Sequence, residues 1–429
     1  MILKNARLVD GAVVDLRIEN EVIAEIGNQL DGAKNSIDLA KNLLIPGLVD
    51  LHTHLREPGR EDSETVASAS AAAVSGGYTA VSAMANTFPV ADTAGVVEQV
   101  FRLGQEAGLC DVFPIGAVTQ GLNGTALAEL GAMANSMARV RMFSDDGKCV
   151  SDPLLMRRAL EYVKSFNGII AQHAQEPRLT VNAQMNEGKV SASLGLTGWP
   201  AVAEEAIIAR DILLADHVGS RLHICHLTTA GGVELVRTAK ARGIKVTAEV
   251  TPHHLLLTDD LVSGYDPVYK VNPPLRTQQD VEALRLGLAD GTIDIVATDH
   301  APHPTEDKDC EWQAAAFGML GLETALSVVV TAMIDTKIMD WSKLVERMSI
   351  SPARIAGYPA HGQMIAVGSV ANFAVIDTSA SWQVDRNRLA SKSRNTPFHE
   401  MKLSSVVKQT FFNGLQVFSN GEVLKRGNL

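Results

Sequence analysis

The sequence lacks several features that mark whole classes of proteins. It has only four cysteines, Cys110, Cys149, Cys225 and Cys310, and no two of them form a CxxC pair. This predicts reduced thiols in a cytoplasmic protein rather than a disulfide framework. No uninterrupted apolar run approaches the ~18 residues of a transmembrane helix, so no membrane span is expected. The first residues also lack the apolar stretch of a signal peptide, and none is expected.

Clusters of positive charge are absent as well. The chain has 38 Lys and Arg against 49 Asp and Glu, which gives a formal net charge of −11. This balance argues against binding to nucleic acid or to an anionic membrane surface. Hydrophobic residues make up 46% of the 429 residues, which is enough for a sizeable core and argues against disorder. The length suits one large domain, or a large domain and a small one.

Short alternating strands separated by turns are predicted at both ends of the chain. They cover residues 2–9, 12–18, 22–26 and 37–39, and then residues 371–376, 406–412 and 416–418. Asn413 and Gly414, between two such runs, are a strong hairpin signal. We infer that both ends pair into one small β-sandwich domain, made of residues 1–48 and 359–429.

Between the two ends, apolar strands alternate with amphipathic helices. The predicted strands are 48–52, 79–84, 112–117, 140–143, 169–173, 222–226, 245–250 and 293–298. Helical spacing of apolar residues is found, for example, in 153–164, 203–214, 232–241 and 281–288. Eight strand–helix units predict an α/β fold with a (β/α)8 barrel over residues 49–358. An open, doubly wound sheet is the alternative, but the glycine pattern of a dinucleotide-binding fold is not evident.

Histidines and aspartates lie where five of these strands end. His52 and His54 are spaced i, i+2, so both face the same side of an extended strand. The other candidates are Asp145 and Asp146, His173, His223 and His226, and Asp299. The carboxyl ends of barrel strands converge on one mouth, so these side chains can meet there. Nitrogen and oxygen ligands of this kind suit Zn²⁺.

Neighbouring candidates on one strand end must be told apart. His223 and His226 differ by three positions, which places them on opposite faces of an extended strand. We choose His226 and Asp146, each nearest its strand terminus, and expect His223 and Asp145 in the core or behind the ligands.

The other histidines fall into two groups. His253 and His254 remain alternative ligands on spacing alone. His217, His361 and His399 are expected to be surface or loop residues.

Six ordered stretches carry a resemblance to a known family. They are DLHTHLREPG at 50–59, MANT at 84–87, FSDDG at 143–147, AEVTPHH at 248–254, VNPPLR at 271–276 and ATDHAPH at 297–303. Through these stretches the sequence resembles the amidohydrolase superfamily and, within it, the bacterial type I dihydroorotases, over nearly its whole length. The resemblance implies a zinc-dependent enzyme that interconverts N-carbamoyl-L-aspartate and L-dihydroorotate in pyrimidine biosynthesis.

The resemblance also implies a metal centre with one or two zinc ions per chain, of which two are favoured. Its ligands would be His52, His54 and Asp299 for one ion, His173 and His226 for the other, and Asp146 as the bridge between them. Many relatives bridge the ions with a carboxylated lysine, but here no lysine lies at a plausible strand end, and Asp146 takes its place. Asp299 is expected to serve also as general acid and base.

Substrate contacts carry over from the same resemblance. The residues it assigns are His54, Arg56, Asn86 and His303, with the last three on the substrate carboxylate, and Asn272, Phe317 and Gly318 on the amide edges of the ring. Arg56 suits this role because its planar guanidinium can form two parallel hydrogen bonds with a carboxylate; an ion pair with Glu57 is the alternative. The charged stretch 305–310 is either a cover over the mouth or a solvated loop.

Two other functions remain open at this point. A hydantoinase or allantoinase would share the barrel and the metals, although Arg56 and Asn86 favour a substrate with a carboxylate. An inactive structural partner of aspartate carbamoyltransferase is the other alternative, but such chains typically lack the metal ligands. We further predict a homodimer that can associate with aspartate carbamoyltransferase.

Overall fold

The computed structural model describes residues 1–32 and 35–424. The strands in this part of the chain are β1 (Ile2–Arg7), β2 (Val13–Glu19), β3 (Val22–Gly27), β4 (Ser36–Asp38), β5 (Leu43–Pro46), β6 (Leu48–Thr53), β7 (Tyr78–Ala83), β8 (Asp111–Pro114), β9 (Met142–Phe143), β10 (Ile169–Gln172), β11 (Met185–Asn186), β12 (Gly198–Trp199), β13 (Arg221–Ile224), β14 (Val246–Val250), β15 (Ile295–Val296), β16 (Phe373–Gln383), β17 (Lys402–Phe412), β18 (Leu415–Ser419) and β19 (Glu422–Val423).

The helices lie mostly between the central strands. They are α1 (Val66–Ser75), α2 (Ala94–Ala107), α3 (Leu130–Asn135), α4 (Pro153–Lys164), α5 (Lys189–Leu194), α6 (Val202–Val218), α7 (Ala230–Ala241), α8 (Pro252–Leu256), α9 (Gln278–Asp290), α10 (Thr305–Lys308), α11 (Ala325–Val329), α12 (Trp341–Val345) and α13 (Ser351–Ala356). Helix α4 has the predicted bounds because Asp152 caps it: its side chain accepts the N–H of Leu155 at 2.7 Å, and Pro153 occupies the first turn. None of the described helices combines the length and the apolar character needed to cross a bilayer.

The two ends of the chain share one sheet. Its strand order is β19-β18-β17-β16-β5-β1-β2-β3, with β4 on β1, and the antiparallel pair β5–β16 joins the N-terminal strands to the C-terminal ones. Buried side chains such as Leu3, Leu44 and Phe411 pack in its core. The predicted hairpin is present between β17 and β18, where Asn413 and Gly414 both have the positive φ that a tight turn of this kind requires.

The central strands pair in parallel and in chain order. One sheet contains β6-β7-β8 and another contains β9-β10-β13-β14-β15. Isolated parallel bridges, Gly116 with Phe143 and Thr53 with His300, connect the two sheets at both of their edges. The carboxyl ends of all eight strands therefore lie at one end of this ring of pairings.

Side chains of the central strands alternate between two apolar clusters. In β10, Ile169 and Ala171 join a small inner cluster, whereas Ile170 packs in the large outer cluster with helical residues. His173, just after the strand, continues the period of Ile169 and Ala171. The inner face of the strand thus leads from apolar packing to a polar side chain at its end.

Strand β15 is shorter than the predicted 293–298. The N–H of Thr298 donates to the buried carboxylate of Asp50 at 3.1 Å instead of continuing the ladder. Asp299 then adopts a φ of 47°, which turns the chain away from the strand. The carboxylate of Asp50 also accepts the N–H of His52 at 3.0 Å, so one side chain fixes the ends of β6 and β15 together.

Candidate metal centre and substrate pocket

The structure brings all six predicted metal ligands together at the carboxyl ends of the strands. Ligand atoms in two groups lie within 4.8 Å of one another; the first group is His52, His54, Asp146 and Asp299, and the second is Asp146, His173 and His226. All six side chains are buried, and Asp146 belongs to both groups.

The first group has the spacing of atoms around a shared cation. The Nε2 atom of His54 lies 3.0 Å from Oδ1 of Asp299 and 3.4 Å from Oδ2 of Asp146. The Nε2 atom of His52 lies 3.5 Å and 3.4 Å from the same two oxygens. Ligands of a tetrahedral zinc ion are about 3.3–3.4 Å apart when the bonds are about 2.0–2.1 Å long. The donor types and their spacing therefore fit Zn²⁺.

The second group uses the other oxygen of Asp146. Its Oδ1 lies 3.0 Å from Nδ1 of His173 and 3.0 Å from Nε2 of His226, and these two nitrogens are 2.9 Å apart. His226 has a φ of 28°, unusual for a residue with a side chain and typical of backbone strain at functional sites. Each oxygen of the Asp146 carboxylate thus faces one group of histidines.

The ring of His52 gives an independent test of whether a cation fits. Its Nε2 is buried and has no hydrogen-bond partner among the described residues, although two carboxylates lie nearby. Its Nδ1 donates to Glu249 at 2.5 Å. A buried ring nitrogen without a partner is costly, and metal-binding histidines usually donate their other N–H to a carboxylate. Both observations match a metal ligand.

Glu249 is a functional candidate that the sequence reasoning missed. In addition to His52, its carboxylate contacts Nε2 of His223 at 3.0 Å and accepts the N–H of His226 at 3.2 Å. The sequence does contain a sign of this role, because Glu249 is an acidic residue inside β14, and its neighbours Ala248 and Val250 are buried and apolar. One buried carboxylate therefore orients residues of two groups of ligands.

Alternation along a strand is the wrong reason for preferring His226 to His223 as a ligand. The two side chains nevertheless lie as predicted, His226 among the ligand candidates and His223 behind them. Strand β13 ends at Ile224, so strand alternation does not extend to His226. His226 reaches Asp146 because its backbone turns out of the strand, while His223 lies behind, between Glu249 and Thr247.

Electrostatics keep the carboxylates of the centre ionised. Burial alone would raise the pKa of Asp299, but the neighbouring His52 and His54 outweigh it and lower the pKa to about 2. In the same way, burial opposes ionisation of Asp146, but His52, His173 and His226 hold its pKa well below the usual value. Anionic oxygen ligands are thus available at neutral pH.

Arg56 lies beside the centre and is not paired with Glu57. Its Nε donates to the carbonyl of Pro302 at 3.0 Å, and burial lowers its pKa to about 10, so it remains charged at neutral pH. The carboxylate of Glu57 instead accepts the N–H of Val66 at 2.8 Å, at the start of α1. The guanidinium of Arg56 therefore has no carboxylate partner among the described residues.

His303 and Gly318 fit closely together next to Arg56. The Nε2–H of His303 donates to the carbonyl of Phe317 at 2.8 Å; burial, with the nearby Arg56, lowers the pKa of His303 to about 2 and keeps it neutral. Gly318 has a φ of 145°, and a Cβ there would come within 2.7 Å of Nε2 of His303 and 2.9 Å of Cβ of Ala301. Only glycine permits this approach.

The two predicted asparagines are held by groups next to the metal candidates. Oδ1 of Asn86 accepts the Nδ1–H of His54 at 2.9 Å, which leaves its amide nitrogen as the remaining donor. Nδ2 of Asn272 donates to Gln175 at 3.3 Å, and Gln175 in turn accepts the Nε2–H of His173 at 2.8 Å. Oδ1 of Asn272 is buried and has no partner among the described residues.

Several residues lie outside this cluster. His254 is held by Thr251 and by the carbonyl of Pro273, and neither it nor the buried His253 belongs to the groups that could hold a metal. The stretch 305–310 is not simply solvated, because it contains the short helix α10 and the side chain of Lys308 is buried.

His361 lies in a loop, one of the two expected settings, but it is not a surface residue. Its side chain is buried, and both ring nitrogens are bonded, Nδ1 to Thr79 at 3.2 Å and Nε2 to Asp111 at 2.8 Å. These partners are 250 or more positions away in the chain, which no local pattern could indicate. His217 is exposed at the end of α6, and His399 is half-buried outside the strands.

Comparison with known proteins gives close relatives over the whole chain. A family model described as dihydro-orotase-like matches residues 41–231. A dihydroorotase from Streptomyces coelicolor is 63% identical, covering 98% of this chain and 99% of its own. A dihydroorotase from Leifsonia xyli is 62% identical (99% and 97%), and one from Mycobacterium tuberculosis is 53% identical (96% and 97%).

Solved structures with the same fold include hydantoinases and dihydropyrimidinases. An L-hydantoinase (dihydropyrimidinase) from Arthrobacter aurescens matches with a TM-score of 0.87 at 27% identity, covering 99% of this chain and 97% of its own. A dihydropyrimidinase from Brevibacillus agri matches in fold, with a TM-score of 0.83 at 20% identity and coverage of 99% and 96%. The chain therefore belongs to the dihydroorotase family of the amidohydrolase superfamily, and it is a cyclic amidohydrolase with a mixed α/β fold.

Proposed function

We propose that this chain catalyses the zinc-dependent, reversible cyclisation of N-carbamoyl-L-aspartate to L-dihydroorotate in pyrimidine biosynthesis. The observation that carries the proposal is the charged guanidinium of Arg56 beside six convergent metal-ligand candidates; within the described part of the chain it has no carboxylate partner. The relatives named dihydroorotase, at 53–63% identity, support the same reaction.

The fold that we propose for this chain is a (β/α)8 barrel over residues 49–358 with a small β-sandwich domain made of residues 1–48 and 359–429. The ring of parallel pairings, joined at both sheet edges, supports the barrel over the doubly wound alternative. The sheet shared by both chain ends supports the second domain.

We assign two zinc ions to the centre. His52, His54 and Asp299 would hold one and His173 and His226 the other, with Asp146 between them, because each of its oxygens faces one group. Zinc in such a site makes water a nucleophile near neutral pH and polarises a carbonyl oxygen.

Asp299 is the proposed general acid and base. In hydrolysis, water adds to the ring carbonyl carbon and the carbon–nitrogen bond breaks, while Asp299 accepts a proton from the water and delivers it to the leaving ring nitrogen. In cyclisation, the carbamoyl nitrogen bonds to the carbon of the protonated carboxyl group while Asp299 takes the proton of that nitrogen, and Asp299 then gives this proton to the departing hydroxyl, which leaves as water.

Substrate orientation is assigned to the groups around Arg56. The guanidinium and the amide nitrogen of Asn86 would bind the substrate carboxylate, and His303 would join them by turning its Nε2–H from the carbonyl of Phe317 to the carboxylate. Asn272, with its unpartnered Oδ1, and the backbone of Phe317 and Gly318 would hold the amide edges of the ring. His54 lies against Asn86 and would contact the substrate from the metal side.

The test combines metal analysis with an assay of dihydroorotate hydrolysis. We expect two zinc ions per chain, loss of activity on chelation and recovery on adding Zn²⁺. Asp299→Ala should fold normally but lose roughly 10²–10⁴-fold in kcat, the usual contribution of a general acid and base. Near-normal turnover in this variant would contradict the role of Asp299.

A substrate panel separates the remaining function. The structural similarity to an L-hydantoinase makes hydantoins the relevant comparison. Turnover of hydantoins without turnover of dihydroorotate would replace the proposed reaction, and a metal-loaded chain inactive on every cyclic amide would favour a structural role. A homodimer and an association with aspartate carbamoyltransferase stay proposals, which sedimentation of the chain alone and of the mixture tests.

A further inference from the structure

The substrate pocket depends on a short segment of the chain that lies outside the central strands and helices. This segment, residues 390–395, runs along the loops that follow β6 and β15. It contains none of the ligand or substrate residues assigned above. Its last residue nevertheless forms hydrogen bonds with the backbone of His303 and Gly318.

Two carboxylates, the half-buried Glu323 and the buried Glu64, hold the start of the segment. Glu323 accepts the N–H groups of Ala390 and Ser391 at 2.9 and 3.1 Å, and Glu64 accepts the N–H of Lys392 at 3.0 Å. Desolvation raises the pKa of Glu323 to about 7. The segment therefore enters the pocket region as a fixed element.

Asn395, at the end of the segment, joins two parts of the pocket through one side chain. Its Oδ1 accepts the N–H of His303 at 3.1 Å, and its Nδ2 donates to the carbonyls of Ala301 at 2.9 Å and Gly318 at 3.2 Å. The side chain is buried, and its own carbonyl accepts the N–H of Leu320 at 3.2 Å.

The chemistry of these partners requires a carboxamide. Three backbone groups, one N–H and two carbonyls, need one acceptor and two donors at a single position, and because all three are backbone groups they also fix which amide atom is oxygen. Aspartate offers no donor to the two carbonyls, and alanine offers no partner at all. Glutamine carries the same groups on a longer chain.

We propose that Asn395 is a positioning residue that sets the distance between the carboxylate-binding side of the pocket and its ring-binding side. It acts through the backbone of His303 on one side and of Gly318 on the other. The proposal rests on the proposed function, which assigns the substrate to these two residues.

A matched control is available in Asn372, in the sheet formed by the chain ends. It is equally buried, its Nδ2 donates to the carbonyl of Ala360 at 3.0 Å, and its Oδ1 accepts the N–H of Asn413 at 2.7 Å. Asn372→Asp thus repeats the loss of donor capacity in a buried asparagine away from the pocket.

The experiment compares Asn395→Asp, Asn395→Ala and Asn395→Gln with Asn372→Asp. We expect the first two to raise KM for dihydroorotate about 10–100-fold, from the loss of two or three buried hydrogen bonds, with a smaller fall in kcat and unchanged zinc content. Asn395→Gln should recover part of the loss. Asn372→Asp should lower the unfolding temperature without changing KM.

Hydrogen–deuterium exchange provides a readout that does not need activity. Peptides covering residues 301–320 should exchange faster in Asn395→Asp and Asn395→Ala than in wild type, and they should not in Asn372→Asp. A KM within about twofold of wild type, or unchanged exchange in both Asn395 variants, would overturn the proposal. A wild-type chain that is inactive on dihydroorotate would overturn the proposed function instead, and exchange would still test Asn395.

Discussion

Two buried histidines at opposite ends of the central strands show how differently the two ends are built. His52, at the end of β6, has one ring nitrogen bonded to Glu249, and the other has no partner among residues 1–32 and 35–424. His361, beside the starts of β7 and β8, has both nitrogens bonded, to Thr79 and Asp111. Burial is the same for both, so the unpartnered nitrogen, and not burial, is the sign of a site.

The groups around the two rings also differ: carboxylates lie beside His52, and aromatic rings lie beside His361. Two carboxylates lie within 3.5 Å of the free nitrogen of His52. His361 instead stacks on Phe412, with the ring planes 6° apart, and lies edge-on to Phe113. Both ring nitrogens of His361 are satisfied and its contacts contribute stability, whereas among the described residues His52 keeps one ring nitrogen for a ligand.

The largest expected effect comes from replacing these two histidines separately. His52→Ala should lose zinc and activity by more than the roughly 10–100-fold typical of removing an outer hydrogen-bonding partner of a ligand. His361→Ala should keep kcat/KM and zinc content but lose about 2–4 kcal/mol of unfolding free energy, because it removes a buried ring and leaves Asp111 and Thr79 without a partner.

Metal analysis, steady-state kinetics and urea unfolding of both variants test this contrast. Equal losses of zinc in the two variants would contradict it, as would normal zinc content in His52→Ala.

Two glycines, Gly318 beside the pocket and Gly357 near the other end of the central strands, allow a second comparison with smaller expected effects. Gly318→Ala should reduce kcat/KM by up to roughly 10²-fold, the cost of a displacement of about 1 Å, because the new Cβ meets the ring of His303. Gly357, at the end of α13, has a φ of 77° and open space around it. Gly357→Ala should therefore cost only about 1–2 kcal/mol of stability, from its left-handed backbone. Steady-state kinetics and thermal unfolding of both variants test this comparison; a normal kcat/KM in Gly318→Ala would contradict it.

The last expected effect is a pH dependence of stability near the pocket. Burial lowers the pKa of Lys308 to about 7. The unfolded chain therefore binds more protons than the folded chain between about pH 7 and the ordinary lysine pKa of about 10.4, and stability rises with pH in this window by at most about 1.4 kcal/mol per unit. Lys308→Met should flatten this rise.

Unfolding of chelated protein at several pH values measures the slope. Lys343→Met, at an exposed lysine whose Nζ donates to the carbonyl of Ala289, is the control. A slope unchanged by Lys308→Met would contradict the prediction.

Much of the fold and the candidate centre could be predicted because the pattern repeats along the chain. His52, His173, His226 and Asp299 follow apolar strands, and parallel strands bring their ends together, so the family and the type of chemistry were predicted correctly. The roles of the individual residues stay predictions.

What the sequence could not reveal are contacts between distant single residues. Glu249 is one acid in an apolar strand, His361 finds its partners only in the folded chain, and Asn395 lies in a segment without any motif. Local turns also escaped prediction, as at His226, where a side-chain carboxylate takes over a strand hydrogen bond.

The pairing of β5 with β16 has a consequence for synthesis of the chain on the ribosome. Strand β5 ends at Pro46 and its partner begins at Phe373, roughly 330 residues later. At a translation rate of about 5–20 residues per second, synthesis of these residues takes roughly 20–70 s, and during this time the N-terminal strands lack their partner β16. Asn395 emerges later still, so a nascent chain can assemble all the metal-ligand candidates before its substrate pocket is complete.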